Sequence, residues 1–155
     1  MRFLKILCVF IDCAYCTFYD ILLSNLLHKR VIVIGTILIA DKSEAFAQAL
    51  AKVLCPYCEV HICHSGDTVL ELLNEIRPDG LVLDLCLPYM TGLEILEAAT
   101  YRPPVILGTT NVVTDSIVEA ATAAGIKQLF LRPCKAKVVA SYLLETLNEK
   151  ERAAP

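Results

Sequence analysis

The sequence predicts an α/β sandwich built from five strand-then-helix units around a parallel sheet, and three observations carry that reading. Short apolar runs, rich in β-branched residues, alternate with stretches whose apolar residues recur every three, four or seven positions. The runs are continuously apolar rather than alternating, so both faces of each strand are buried, which requires helices above and below the sheet. Turn and cap residues fall between the two kinds of segment.

The first strand is predicted over residues 31–40, and Phe46, Leu50, Val53 and Leu54 mark the helix after it. A second strand over 60–63 leads into a helix carrying Val69, Leu72, Leu73 and Ile76. Pro78, Asp79 and Gly80 turn the chain into a third strand over 81–85. Thr91 with Glu94 three residues on forms a capping box that opens a third helix bearing Leu93 and Leu96. A fourth strand over 105–107 precedes a helix with Ile117, Ala121 and Ala124, closed by Gly125 where a left-handed residue ends a helix. The fifth strand, over 129–131, and a helix with Val139, Leu143 and Leu147 complete the pattern. Right-handed crossovers then give one three-layer unit.

With 155 residues the chain has room for one ordinary domain and an extension. The expected division is an apolar extension over 1–30, a domain over 31–149, and a tail or linker start over 150–155. Apolar residues at 56% and charged ones at 20% exclude a disordered chain. Fourteen Lys and Arg against seventeen Asp and Glu, spread along the chain, make no basic stripe, so direct nucleic-acid binding is not expected.

Residues 1–30 are rich in aromatics and Cys, but Asp12 and Asp20 interrupt them, and each charge is costly inside a bilayer, where a spanning helix needs about 20 largely apolar residues. Membrane contact is therefore the lesser reading of this segment, beside a helix docked on the core or a start codon placed upstream of a protein beginning near 31–35. No small-residue cleavage site follows, and a cytoplasmic location is expected.

Five of the eight cysteines, Cys8, Cys13, Cys16, Cys63 and Cys86, lie in or beside apolar runs, where a reduced Cys behaves as a small hydrophobe. The run Cys55-Pro56-Tyr57-Cys58 is identical to a glutaredoxin-type redox motif. Such a motif works at a helix N-terminus, where the dipole lowers the thiol pKa, and here it follows a predicted helix instead. A zinc site using Cys13, Cys16, Cys55 and Cys58 has pairs spaced far wider than the usual 15–20 residues. Cys63 and His64, with His61 nearby, offer further ligands, but His61 and Cys63 fall on one strand face and His64 on the other, so surface loop residues are the better account of them. A thiol redox or metal-binding protein using Cys55 and Cys58 is the alternative to the reading that follows.

In open parallel sheets, chemistry gathers outside the carboxyl ends of the strands. The residues there are Asp41 and Lys42, Asp84, Thr109 and Thr110, and Arg132 with Pro133. Asp41 and Asp84 end the first and third strands, which are neighbours if the order is the flavodoxin-like 2-1-3-4-5. Two close carboxylates need a cation between them, and Lys42 and Arg132 are at hand.

The run Leu81-Val82-Leu83-Asp84-Leu85-Cys86-Leu87-Pro88-Tyr89-Met90-Thr91-Gly92-Leu93 resembles the phosphoacceptor segment of bacterial two-component response regulator receiver domains. Residues 37–41 resemble their acidic first strand end, 104–109 their fourth strand with its switch Thr, and 125–133 their fifth strand with the basic residue and Pro after it. The resemblance implies a signalling module with no enzymatic turnover of its own. Asp84 would accept a phosphoryl group from a histidine kinase or phosphotransfer protein, and Mg2+ would bridge Asp84, the backbone carbonyl of Cys86 and Asp41. Thr109 and Arg132 would contact the phosphoryl oxygens, and the message would leave through the fourth helix, fifth strand and fifth helix, a face that could also join two copies.

Four departures from the family pattern are visible. Lys42 stands where a second acid usually ligates the metal, and an ammonium there can pair with Asp84 and occupy the metal's place, so a degenerate receiver signalling through protein contacts alone is the other form of this reading. Arg132 replaces Lys, which exchanges a point charge for a planar fork. Thr110 takes a small residue's place, and Leu129 replaces the switch aromatic, with Phe130 facing the other way.

Overall fold

The computed structural model describes residues 33–153, which belong to one compact unit beginning at Val33. The expectations for residues 1–30 and for the last two residues lie outside the described residues. Five strands, β1 (Thr36–Ala40), β2 (Glu59–Cys63), β3 (Gly80–Asp84), β4 (Val105–Thr110) and β5 (Gln128–Leu131), form a parallel sheet in the order β2-β1-β3-β4-β5. The helices are α1 (Glu44–Leu54), α2 (Gly66–Ile76), α3 (Gly92–Ala98), α4 (Asp115–Ala123) and α5 (Ala136–Ala153). This is the predicted flavodoxin-like sandwich.

Leu38, Ala40, Leu81, Leu83 and Ile106 point to one face of the sheet and pack with Val69 and Leu73 of α2, Ile95 and Leu96 of α3, and Ala121 of α4. On the other face α1 packs against α5, and Leu143 of α5 closes with Ile37 on Gly80, where a Cβ would lie 2.8 Å from Ile37. The absence of a side chain at Gly80 lets α5 approach the sheet.

Several boundaries move. The first strand begins at Thr36, five residues later than the apolar run suggests: Gly35 precedes it, and the Thr36 amide is capped by the Asp79 carboxylate at 2.9 Å. The fourth strand runs on to Thr110, because pairing with β3 and β5 continues through Gly108, Thr109 and Thr110. The fifth strand is not buried on both faces, as its apolar pattern implied. It is one of the two sheet edges, opposite β2, and none of its four residues is fully buried.

Local signals hold where they were read. Thr91 and Glu94 complete the capping box of α3, with the Thr91 amide donating to the Glu94 carboxylate at 2.8 Å. That hydrogen bond, followed by the one from the Thr91 hydroxyl, holds the Glu94 carboxyl below its ordinary pKa. Gly125 ends α4 with φ +86°. Phe130 turns toward α5 and meets Tyr142 edge to face, while Leu129 faces the opposite way, over Gly108 and beside Ile126.

Candidate functional site

The rim at the carboxyl ends of β1, β3, β4 and β5 carries the strand-end residues that the sequence marked. Asp84, the last residue of β3, lies opposite Thr109 of β4 in register. Asp41 follows β1 directly, and its amide donates to the Cys63 carbonyl at the end of β2. Arg132 follows β5 and donates its amide to the Thr110 carbonyl at 2.8 Å. Asp41, Asp84, Thr109 and Thr110 are the buried polar residues of the described chain.

Two separate ion pairs organise these groups. The Arg132 guanidinium binds the Asp41 carboxylate and donates from the same nitrogen to the Thr109 hydroxyl at 3.2 Å. Its plane stacks on Phe46 of α1, 4.4 Å from the ring centre. Burial lowers the Arg132 pKa from its usual value, and the neighbouring Cys134 opposes that shift. Asp41 spends its other oxygen on the Ser43 amide at 2.8 Å. Ser43 is the N-cap of α1, its side chain accepting from the Phe46 amide, and its own amide's bond to Asp41 fixes the turn that leads into the helix.

Lys42 leaves the same turn. Its ammonium donates to the Cys86 carbonyl at 3.0 Å and stands 3.6 Å from Asp84 Oδ2. Asp84 Oδ1 accepts the Cys86 amide at 2.9 Å, whereas Oδ2 is buried and has no hydrogen-bond partner. Lys42 therefore serves Asp84 while Arg132 serves Asp41, a division that strand order alone does not reveal.

Two contributors escaped the sequence reading. Phe46 read only as a core residue of α1, yet its ring carries the guanidinium. His64 read as a surface residue, yet its ring nitrogen Nδ1 lies 2.6 Å from the Asp41 carbonyl. No spacing signal in the sequence links either of them to Asp41. The peptide bond between Arg132 and Pro133 is cis.

The cysteine motif behaves differently. Cys55 caps the C-terminal end of α1 and Cys58 is buried behind it, its thiol pushed up to about 11, first by burial and then by Asp79. Cys63 is buried at the end of β2 and pushed up to about 12 by desolvation. Thiols held protonated are poor nucleophiles and poor ligands. Among the described residues no group of three or more His, Cys, Asp or Glu is placed to hold a metal ion.

A parallel five-stranded sheet whose carboxyl rim joins paired acids, a strand-end hydroxyl and a basic residue before a Pro has the architecture of a signalling receiver. The chain belongs to the response regulator receiver domain family, whose sequence profile matches residues 37–143. It is 30% identical over 131 residues to the sensory/regulatory protein RpfC of Xanthomonas campestris, a match covering 79% of this chain and 17% of that protein. It is 35% identical over 81 residues to the luminescence regulatory protein LuxO of Vibrio campbellii, covering 50% of this chain and 18% of that one. The matched region is thus less than a fifth of either relative's length. Among solved structures, a CheY-like receiver domain from Methanospirillum hungatei superposes with TM-score 0.70 at 23% identity, covering 77% of this chain and 98% of that one. At that identity the likeness shows the fold alone.

Receiver domains typically bind Mg2+ at the acidic site. The residues present here do not fit that ion. Mg2+ requires several oxygens at about 2.0–2.1 Å in near-octahedral array. The Lys42 ammonium already engages the Cys86 carbonyl and faces Asp84, and the Arg132 guanidinium holds Asp41.

Proposed function

We propose that this chain is a cytoplasmic receiver module, not itself an enzyme, that takes its signal from a histidine kinase or phosphotransfer protein at Asp84 and passes it on through protein contacts. The observation that carries the reading is the Asp84 carboxylate: it is 1% exposed, and while Oδ1 is tied to the Cys86 amide, Oδ2 accepts no hydrogen bond. A purely structural buried acid satisfies both oxygens, because an unsatisfied one costs about 1–3 kcal/mol. An oxygen held beside the Lys42 ammonium but left without a hydrogen bond suits a nucleophile.

In the proposed step Asp84 Oδ2 attacks phosphorus, the bond from phosphorus to the donor breaks, and an aspartyl phosphate forms. The group adds a charge of about −1.5 to −2 and competes with Asp41 for Arg132 and with Asp84 for Lys42. Releasing Thr109 from Arg132 carries the change into β4. Because Lys42 already covers Oδ2, transfer in the resting protein is slow.

The output surface is the face made by α4, β5 and α5. Val112, Val113, Val118, Leu131 and Val138 are exposed there and leave apolar side chains open to a partner. Asp115 and Glu119 on α4 and Lys127, Lys135 and Lys137 around β5 and α5 give the face both signs of charge, which suits a two-fold contact between copies as well as a partner protein. None of this calls for nucleic acid.

The test is incubation with a small acyl phosphate, reading the intact mass for one added phosphoryl group and its position. Weak labelling at Asp84 is expected, lost in Asp84→Asn and raised in Lys42→Asp. Labelling that survives Asp84→Asn, or none in wild type and Lys42→Asp alike, would remove Asp84 from the role.

A further inference from the structure

We infer that Lys42 is the resident cation of this site: its ammonium replaces the divalent ion, and the acidic rim stays assembled without metal. The inference rests on the receiver reading above and states how the same site is held. Position is the first reason. Asp84 and the backbone of residue 86 are locked together by the bond from the Cys86 amide to Asp84 Oδ1, so the Cys86 carbonyl and Asp84 Oδ2 converge on one point, and Lys42 Nζ occupies it at 3.0 and 3.6 Å.

Charge is the second. Asp41 and Asp84 contribute two negative charges, and Lys42 and Arg132 two positive ones, each cation on its own acid. The sum is zero, so nothing draws a dication to the rim, and an incoming one meets two fixed cations at close range. Mg2+ also gives up its water reluctantly, and a neutral site offers little in exchange.

The third reason is how Lys42 is aimed. It lies between Asp41 and Ser43, and the bond from the Ser43 amide to Asp41 Oδ1 fixes that turn. The turn that caps α1 thus also directs the Lys42 side chain across the rim. The side chain is 38% exposed, and its ammonium reaches a carboxylate that is 1% exposed.

The experiment titrates the full chain with Mg2+, and separately with paramagnetic Mn2+, following thermal unfolding and the amide resonances of Lys42 and Cys86. Wild type is expected to show no change in Tm and no selective broadening. Lys42→Asp should acquire both, with a Tm rise of roughly 4 °C at tenfold excess over Kd. Should Lys42→Asp not fold without metal, Lys42→Met decides: it is expected to melt below wild type in EDTA and to recover with Mg2+. Selective Mn2+ broadening of Cys86 in wild type, or indifference to metal in both variants, overturns the inference. Failure here is distinct from failure of the receiver reading. Labelling of Asp84 in EDTA upholds that reading whatever the titration shows, and absence of labelling in every variant leaves the titration standing.

Discussion

The side of the sheet formed by β2, β1 and β3 and the opposite edge, β5 with its flanking α4, are closed to different degrees. β3 is buried along its whole length and β1 in four of five positions, whereas β5 has no fully buried residue. The helices follow suit: α1 buries Ala47, Leu50, Ala51 and Leu54, and α4 buries Ala121 alone. A cleft of about 330 Å³ opens between α4 and β5, lined by Val113, Val118, Ile126, Leu129 and Leu131. The contrast separates two duties. Preorganised charges need a rigid support, and β1 and β3 supply it to Asp41, Lys42 and Asp84, while segments that rearrange or bind come from parts with few buried contacts, here β5, which carries Arg132 at its end.

The sharpest way to break this contrast is Arg132→Met. Asp41 is fully buried, and removing its cation leaves an uncompensated charge, so a loss of about 3–5 kcal/mol in urea unfolding is expected. A loss below about 1 kcal/mol would mean that the rim is not held by this pair. Arg132→Lys should recover only part of the loss, because an ammonium lacks the planar guanidinium that stacks on Phe46.

A smaller effect comes from alkaline pH and the closed side. The Cys58 and Cys63 thiols stay protonated in the fold to about 11 and about 12, whereas an unfolded thiol titrates near about 8.5. The unfolded chain therefore loses protons first. The stability these thiols contribute is fully present below about pH 8.5 and declines as pH rises toward the folded values. Urea midpoints should fall between pH 8 and pH 10, and fall less in Cys63→Ala. A flat profile would indicate that β2 is open to solvent.

The smallest effect on stability is expected on the open edge. Leu131→Ser and Val118→Ser replace residues that are 53% and 42% exposed, and should change unfolding by no more than about 0.5 kcal/mol. The same substitutions should weaken self-association in sedimentation if two copies meet there. A large stability loss instead would show that this face belongs to the core.

Much of the site was legible because its parts are local. A strand that ends in Asp, a Thr and Glu at capping distance, and a Gly after a helix each express their physics within a few residues. The pairing of cations with acids was not. Sequence offered Lys42 as able to pair with Asp84 but left Arg132 as a second candidate for the same acid, and Arg132 instead binds Asp41 across 91 positions. Phe46 was hidden for the same reason, since a ring that supports a guanidinium and a ring that fills a core look alike in one dimension.

By itself, then, the sequence determined the alternation of strands and helices, their caps, and the identity of the charged residues at the strand ends, because hydrogen bonding and periodic burial act over short distances. Tertiary structure alone decided which strand became the exposed edge, how far β4 extends, and that the ammonium lies between Asp84 and the Cys86 carbonyl. Those outcomes depend on sheet order and on distances between residues far apart in the chain. Electrostatic energy varies with separation in space and with burial, and neither is defined until the chain has folded.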